Sequence, residues 1–354
     1  TEALRDGGGN EETERAVAAG LAYLARTQRP DGYWGDSDDY DDKYGHVSVG
    51  KSALCLLAFL GAGHSPDSGR EHADVARRSA DFLLAVQDPD TGHFGYTTSY
   101  SHATATYALS EAYALDRDER LVEPLRRAVA WILKHQNRER DRRRRGGWGY
   151  YYPDGRTYDQ SHKRVVDQEK GVGHAVRATY MYSGMADVAT LTGDTSYIKA
   201  IDRIWENIVG TKLYITGGLG QPGGPEGFTE DYALGNECYC ETCAGIGNVY
   251  WNHRLFMLHG DAKYIDVLER SLYNNVIDGV SLDGKKFFNP NTLRSSGTGR
   301  RPERSEWFGC ACCPGNIARF VASVPGYLYA TKGRDVYVNL YAAGKGDLKV
   351  GDDT

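Results

Sequence analysis

Ala175-Val-Arg-Ala-Thr-Tyr-Met-Tyr-Ser-Gly-Met-Ala-Asp-Val-Ala-Thr-Leu191, the turn Thr192-Gly-Asp194 and Tyr197-Ile-Lys-Ala-Ile-Asp-Arg-Ile-Trp-Glu-Asn-Ile208 set two helical patterns back to back. The first is rich in Ala, Ser and Gly, which let helices approach closely. The second spaces apolar residues at helical intervals with Lys199, Asp202, Arg203 and Glu206 between them. The same order recurs at 103–115, turn 116–118 and 121–135, and again at 244–258, turn 259–261 and 264–276. A looser copy pairs 48–61 with 71–87, and 12–28 and 316–329 add a helix at each end. Small-residue helices suit an inner ring and charged helices a wet outer face. The expected fold is therefore all-α, an α/α toroid resembling an incomplete (α/α)6 barrel of helical hairpins.

A second periodicity marks the first half: Gln28-Arg-Pro-Asp-Gly-Tyr-Trp-Gly35, Gln87-Asp-Pro-Asp-Thr-Gly-His-Phe-Gly95, and Gln136 with Gly146-Gly-Trp-Gly149. Each Gln ends a helix, and the Gly and aromatic build the turn after it. The pattern resembles the repeats of prenyltransferase and squalene-cyclase toroids over about residues 12–155, and reads as structural glue. The expected organisation is a disordered segment 1–11, a first toroid half 12–160 and a catalytic half 161–331. The start of a β-domain follows at 332–354, where Val336, Val338 and Leu340 alternate as in a strand.

With 40% apolar residues in 354, the chain can bury a sizeable core. A net charge of −6 argues against nucleic acid as a partner, which needs a basic face to displace counterions. The one basic run, 138–145, is interrupted by Glu139 and Asp141 and reads as a solvated loop. The longest apolar run, 53–60, is far short of the roughly 20 residues of a membrane span. Residues 1–12 hold no apolar signal region, which points to a cytoplasmic, reducing address. The absent initiator Met leaves open that a leader was trimmed. A homo-oligomer is also left open.

Six of the seven cysteines crowd into Cys238-Tyr-Cys240-Glu241-Thr-Cys243 and Cys310-Ala-Cys312-Cys313-Pro314. Staples of a small secreted domain would be spread out, so the clustering suggests metal or catalysis. Cys55, in an apolar run, reads as a core residue. Zinc takes four ligands in a tetrahedron and favours thiolates. Glu241 and Cys243, two positions apart, could share one ion from a turn or a helix entry. Cys312 and Cys313 need a bent backbone, for which Pro314 and Gly315 are suited. A closed, purely structural zinc and simple core packing are the alternatives.

Ahead of Glu241 runs Gly217-Gly-Leu-Gly-Gln-Pro-Gly-Gly224, then Glu226. A loop of this kind suits the rim of a site, and without a following Gly-Lys-Ser/Thr it is not a phosphate loop. Glu226 is a candidate general acid. His174, heading an inner helix, would point into the mouth of the toroid.

Over about residues 164–343 the sequence resembles glycoside hydrolase family 127, the retaining β-L-arabinofuranosidases. The matching runs are Gly173-His-Ala-Val-Arg-Ala178, Tyr182-Ser-Gly-Met-Ala-Asp187, Ile215-Thr-Gly-Gly218, Glu241-Thr-Cys-Ala244, Cys312-Cys-Pro314, Asn316-Ile-Ala-Arg319 and Tyr337-Val-Asn-Leu-Tyr341. The resemblance implies a Zn2+ held by Glu241, Cys243, Cys312 and Cys313, with Cys312 as nucleophile and Glu226 as general acid/base. It also implies sugar-binding roles for His174 and Glu269, and an arabinofuranosyl glycan as the carbohydrate partner. The sequence departs from the family at Asn289, where a Tyr that touches the sugar is usual. The stretch 1–155 is expected to differ from the family's own N-terminal half. His46 and His102 are candidates to complete the sugar pocket from that stretch.

Two other readings compete. Asp36-Ser-Asp-Asp39 resembles the acidic motif of squalene-type cyclases, but it sits among Tyr40, Asp41, Asp42 and Lys43, the composition of a wet loop. A zinc-stabilised, catalytically incomplete sugar-binding or scaffold protein is the other.

Overall fold

The structure, a computed structural model, describes residues 11–35, 47–94, 99–135, 157–222, 226–228, 230–294, 303–307, 310–343, 348 and 350–351. The chain divides into two compact units, whose described residues fall within Gly9–Arg138 and within Gly155–Thr354. Both are built from the helical hairpins expected of the all-α toroid class.

The first unit holds α1 (Glu11–Thr27), α2 (Val47–Gly61), α3 (Ala73–Ala85), α4 (Ser99–Asp116) and α5 (Val122–His135). The small-residue helices α2 and α4 pack on each other, and Ala53, Leu56 and Phe59 of α2 meet Ala105, Ala108 and Leu109 of α4 in one core.

The Gln-to-aromatic repeat is a scaffold device, and two copies show the same bonds. Gln28 Nε2 donates to the carbonyls of Gly32 and Val75 at 3.0 Å each, and its Oε1 accepts from Arg78. Gln87 Nε2 donates to the carbonyls of Gly92 (3.0 Å) and Pro124 (2.9 Å), and its Oε1 accepts from Arg127. Gly32 (φ 90°) and Gly92 (φ 76°) are required because a side chain there would collide with the backbone of Arg78 and Arg127. One amide side chain thus ties a helix end, its turn and the next helix but one, α1 to α3 and α3 to α5. The third copy, at Gln136 and 146–149, the cyclase-like motif at 36–39 and His46 lie outside the described residues.

The second unit holds α6 (Ala175–Thr192), α7 (Thr195–Thr211), α8 (Thr242–His259), α9 (Ala262–Ser271) and α10 (Cys312–Val321), followed by β1 (Tyr329–Lys332) and β2 (Asp335–Val338). The inner pair α6 and α8 makes the most extensive contact, with Ala175, Ala178, Tyr182 and Ala186 in one core with Ile246, Val249 and Trp251. The two strands form an antiparallel hairpin, Tyr329 opposite Val338 and Lys332 opposite Asp335, so strand structure starts before residue 332.

Two helices differ from expectation. The helix expected over 264–276 ends at Ser271 and widens into a π-turn, Leu272–Val276, where fully buried Asn275 abuts Gly245 of α8. The last helix starts at Cys312, not at 316, because Pro314 is tolerated in a first turn whose N–H groups have no partner in the helix. It stops at Val321 because Pro325 has no N–H to bond the Val321 carbonyl.

Candidate active site

Two helix N-termini carry the chemistry. Glu241 is the residue that caps α8, with Thr242 and Cys243 as its first two helical positions. Cys312 and Cys313 are the first two residues of α10. The long segment between Cys243 and Cys312 returns the chain so that all four side chains converge. Each helix end presents the positive pole of its dipole, a setting that favours thiolate and carboxylate.

The ligand atoms of Glu241, Cys243, Cys312 and Cys313 all lie within 4.8 Å of one another. Cys243 Sγ is 3.3 Å from Cys313 Sγ, and Cys312 Sγ is 3.7 Å from Cys313 Sγ. Glu241 Oε1 is 3.4 Å from the Cys312 sulfur and 3.9 Å from that of Cys313. In a tetrahedron with metal–sulfur bonds of about 2.3 Å, neighbouring sulfurs stand about 3.8 Å apart, close to these edges. All three cysteines are free thiols.

The donor set fits a divalent cation on a second ground. Burial, then the charge of Glu226, pushes Glu241 up to about 7, against the pull of the three neighbouring thiols. Contact with Cys243, with burial beside it, holds the Cys312 thiol above its ordinary value. Four acidic groups crowded together resist ionising, and a cation between them would reverse that resistance. Glu241 Oε2, buried, has no hydrogen-bond partner among the described residues. Of the four, Cys312 is exposed, whereas Glu241, Cys243 and Cys313 are buried.

Glu226 is half-buried and strapped to the start of α6. The Phe228 N–H donates to the Gly173 carbonyl (2.8 Å), and the Glu226 carbonyl accepts from Ala175 N–H (3.3 Å). His174, at the cap of α6, places Nε2 2.8 Å from Glu226 Oε2. Burial holds His174 below its ordinary value, against the opposing charge of Glu226. The structure therefore brings His174 and Glu226 together as a hydrogen-bonded pair.

Tyr239, for which sequence suggests no role, lies within range of the charges of both groups. Burial first, and then the charges of Glu241, Glu226, Cys313 and Cys312, raise its phenol. Its hydroxyl donates to Asn289 Oδ1 at 2.6 Å. Asn289 in turn lies against the cluster, with Nδ2 3.9 Å from Cys312 Sγ. The other pair of thiols stands apart: Cys238 and Cys240 are buried with Tyr214, where a side chain at Gly218 would press on Cys240.

The remaining candidates fall elsewhere. His102 is fully buried in the first unit, with Nδ1 accepting from Phe94 N–H and Nε2 beside the Ala128 carbonyl, both at 3.1 Å. Its counterpart in the preceding repeat is Ser52, which accepts from Trp34 N–H at 3.0 Å. Both ring nitrogens of His102 thus serve the scaffold, with none left for a sugar. Glu269 is half-buried near the end of α9, and among the described residues its carboxylate makes no hydrogen bond or ion pair.

Residues 6–326 match the sequence profile of the "Beta-L-arabinofuranosidase, GH127 catalytic domain". The chain is 31% identical over 360 residues to the non-reducing end beta-L-arabinofuranosidase of Bifidobacterium longum subsp. longum, covering 93% of this chain and 53% of that protein. The solved structure of a GH127 beta-arabinofuranosidase superposes with a TM-score of 0.67 at 41% identity, covering 96% of this chain and 53% of that one. The chain thus spans about half the length of these relatives. A stretch of 89 residues is 34% identical to the squalene–hopene cyclase of Bradyrhizobium diazoefficiens, but it covers only 25% of this chain and 12% of the cyclase. The profile begins at residue 6, which corrects the expectation that the stretch 1–155 differs from the family: the Gln-to-aromatic turns are a scaffold inside it. With the match running through the hairpins of both units, the chain belongs to glycoside hydrolase family 127, the β-L-arabinofuranosidase-like catalytic domains.

Proposed function

We propose that this chain is the catalytic part of a retaining glycoside hydrolase that releases β-L-arabinofuranose, or a closely related sugar, from plant-type glycans. One arrangement carries the reading. The ligand atoms of Glu241, Cys243, Cys312 and Cys313 lie within 4.8 Å of one another, Cys312 is the exposed member, and Glu226 is near enough for its charge to act on Glu241. The relative's name supports the choice of sugar.

Zn2+ is the ion the donor set suits, and when bound it would hold the sulfurs as thiolates at neutral pH. In the first step Cys312 Sγ attacks the anomeric carbon. The exocyclic C–O bond breaks as Glu226 gives its proton to the leaving oxygen, and the sugar is left on sulfur. In the second step Glu226, now a carboxylate, takes a proton from water while the water oxygen displaces Cys312 Sγ from the anomeric carbon. Two inversions give net retention and restore Glu226 to its acid form. His174 orients Glu226 through the 2.8 Å contact. The buried donors Glu241, Cys243 and Cys313 keep the site assembled while Cys312 carries the sugar. Glu269 enters as a sugar contact on the resemblance alone, and His46 only as a histidine of the first half that could complete the pocket.

The test is metal analysis together with hydrolysis of an aryl β-L-arabinofuranoside by wild type, Cys312→Ser and Glu226→Gln. We expect bound zinc, and a loss of turnover of roughly 10²–10⁴-fold for Glu226→Gln and at least as much for Cys312→Ser. Turnover surviving both substitutions would remove the mechanism. Zinc bound without turnover in wild type would favour a zinc-stabilised sugar-binding scaffold.

A further inference from the structure

We propose that Asn289 is a positioning residue for Cys312, aimed by Tyr239, and that its amide N–H draws charge from the Cys312 sulfur. The inference rests on the reading of Cys312 as nucleophile.

The segment around Asn289 is sewn to the Glu241 loop through backbone. The Asn289 carbonyl accepts from Thr242 N–H at 3.0 Å, Asn291 N–H donates to the Cys240 carbonyl at 2.8 Å, and Pro290 bridges Glu241. These bonds fix where residue 289 sits and would survive any side chain there. The side chain has a separate task. Asn289 is only 9% exposed, and an amide that far from water needs partners at both ends. Tyr239 supplies one, its hydroxyl donating to Oδ1 at 2.6 Å, and that bond decides which way the amide faces. Nδ2 then has the Cys312 sulfur in front of it at 3.9 Å, a long N–H···S contact that shortens if the sulfur swings toward the amide.

A donor at that place has a chemical consequence. A thiolate that shares its lone pair with an N–H carries less charge, so it is held less tightly by a cation and leaves a carbon more readily. The mechanism requires both, since Cys312 must come free to take the sugar and must depart again when water attacks. Tyr239 touches no reacting atom in this scheme and acts through Asn289.

The test compares wild type, Asn289→Leu, Tyr239→Phe and Cys312→Ser loaded with Co2+, whose thiolate-to-cobalt charge-transfer absorption reports electron density on the sulfurs. Cys312→Ser identifies the part of the band due to Cys312. Losing the N–H raises sulfur charge, so the band is expected to move to longer wavelength in Asn289→Leu and, less, in Tyr239→Phe, which deletes only a hydroxyl. On an aryl β-L-arabinofuranoside, Asn289→Leu is expected to lower kcat about tenfold, to lower KM with it because departure of the sulfur is slowed, and to accumulate the sugar adduct seen by intact mass. A band unmoved in both variants, with melting midpoints near wild type, overturns the inference whatever the activity. An inactive wild type whose band still moves in both variants sinks the hydrolase reading and leaves the Asn289–Cys312 contact standing.

Discussion

Gly173 shows how narrowly the acid/base pair is placed. It sits at φ 69°, and a side chain there would overlap the carbonyl of Thr157, while its own carbonyl accepts from Phe228 N–H two residues after Glu226. Only glycine serves both demands. Gly173→Ala is expected to cost roughly 1–3 kcal/mol of stability and to displace His174 and Glu226. Because the cysteines stand on other helices, metal content should stay at the wild-type level while turnover falls at least tenfold. Metal analysis beside steady-state kinetics checks this, and metal lost in step with activity would mean that the two parts of the site are not separately supported. In sequence, Gly173 was legible only as a member of a motif, since a required left-handed angle leaves no other trace than the glycine itself.

At the scale of elements, three hairpin turns end in an aspartate that starts the next helical turn. Asp118 accepts from Arg120 N–H, Asp194 from Ser196 N–H and Asp261 from Lys263 N–H, at 2.8–3.0 Å. The residue before each stands at positive φ: Arg117 at 57°, Gly193 at 69° and Gly260 at 72°. Turn and cap together reverse the chain, and both are written locally, which is why all three hairpins were readable as hairpins. Asp194→Ala or Asp261→Ala is expected to cost about 1 kcal/mol each, and Arg117→Gly to cost nothing or to stabilise slightly, because it removes a strained angle. Urea unfolding curves test the series, and a stabilising Asp194→Ala would contradict the capping account. The π-turn at Leu272–Val276 had no such local signal, because it answers to a buried contact between Asn275 and Gly245.

For the whole molecule, the two histidines held furthest below their ordinary value, buried His102 and half-buried His253, shape the response to acid. Burial holds His102 down to about 4, and burial with the charge of Arg254 does the same for His253. A histidine whose folded value lies below its unfolded value of about 6.5 adds stability that is fully present above that pH. This stability is lost as pH falls from about 6.5 toward 4, where the unfolded chain binds the proton first. Each ring could account for up to about 3 kcal/mol across that window. Depressed carboxylates such as Asp231, held down first by Lys170 and then by Lys212, add a further loss at lower pH still. Stability is thus expected to drop between pH 6.5 and 4, and His102→Phe to flatten that drop while lowering stability at pH 7 by roughly 2–4 kcal/mol, as the Phe94 N–H and Ala128 carbonyl lose their partner. A wild-type curve level across the window would contradict this origin.

Periodicity and turn chemistry were enough, by themselves, to determine the helical hairpins and their order; clustering marked two cysteine-rich segments, and the family resemblance picked from them the four groups that could share an ion. Those features are local, or depend on residue types whose chemistry hardly varies with context. Tertiary structure alone decided that Glu241 and Cys243 open one helix while Cys312 and Cys313 open another, that Cys312 is the exposed thiol of these three, and that Asn289, held by Tyr239, stands against it. It also turned His102 from a candidate sugar contact into a strut, since a histidine at a helix start looks the same in sequence whether its nitrogens face a cavity or a backbone. The reason is distance along the chain: a contact between positions as remote as Cys243 and Cys312 is created by the packing of everything between them, and no short stretch records it.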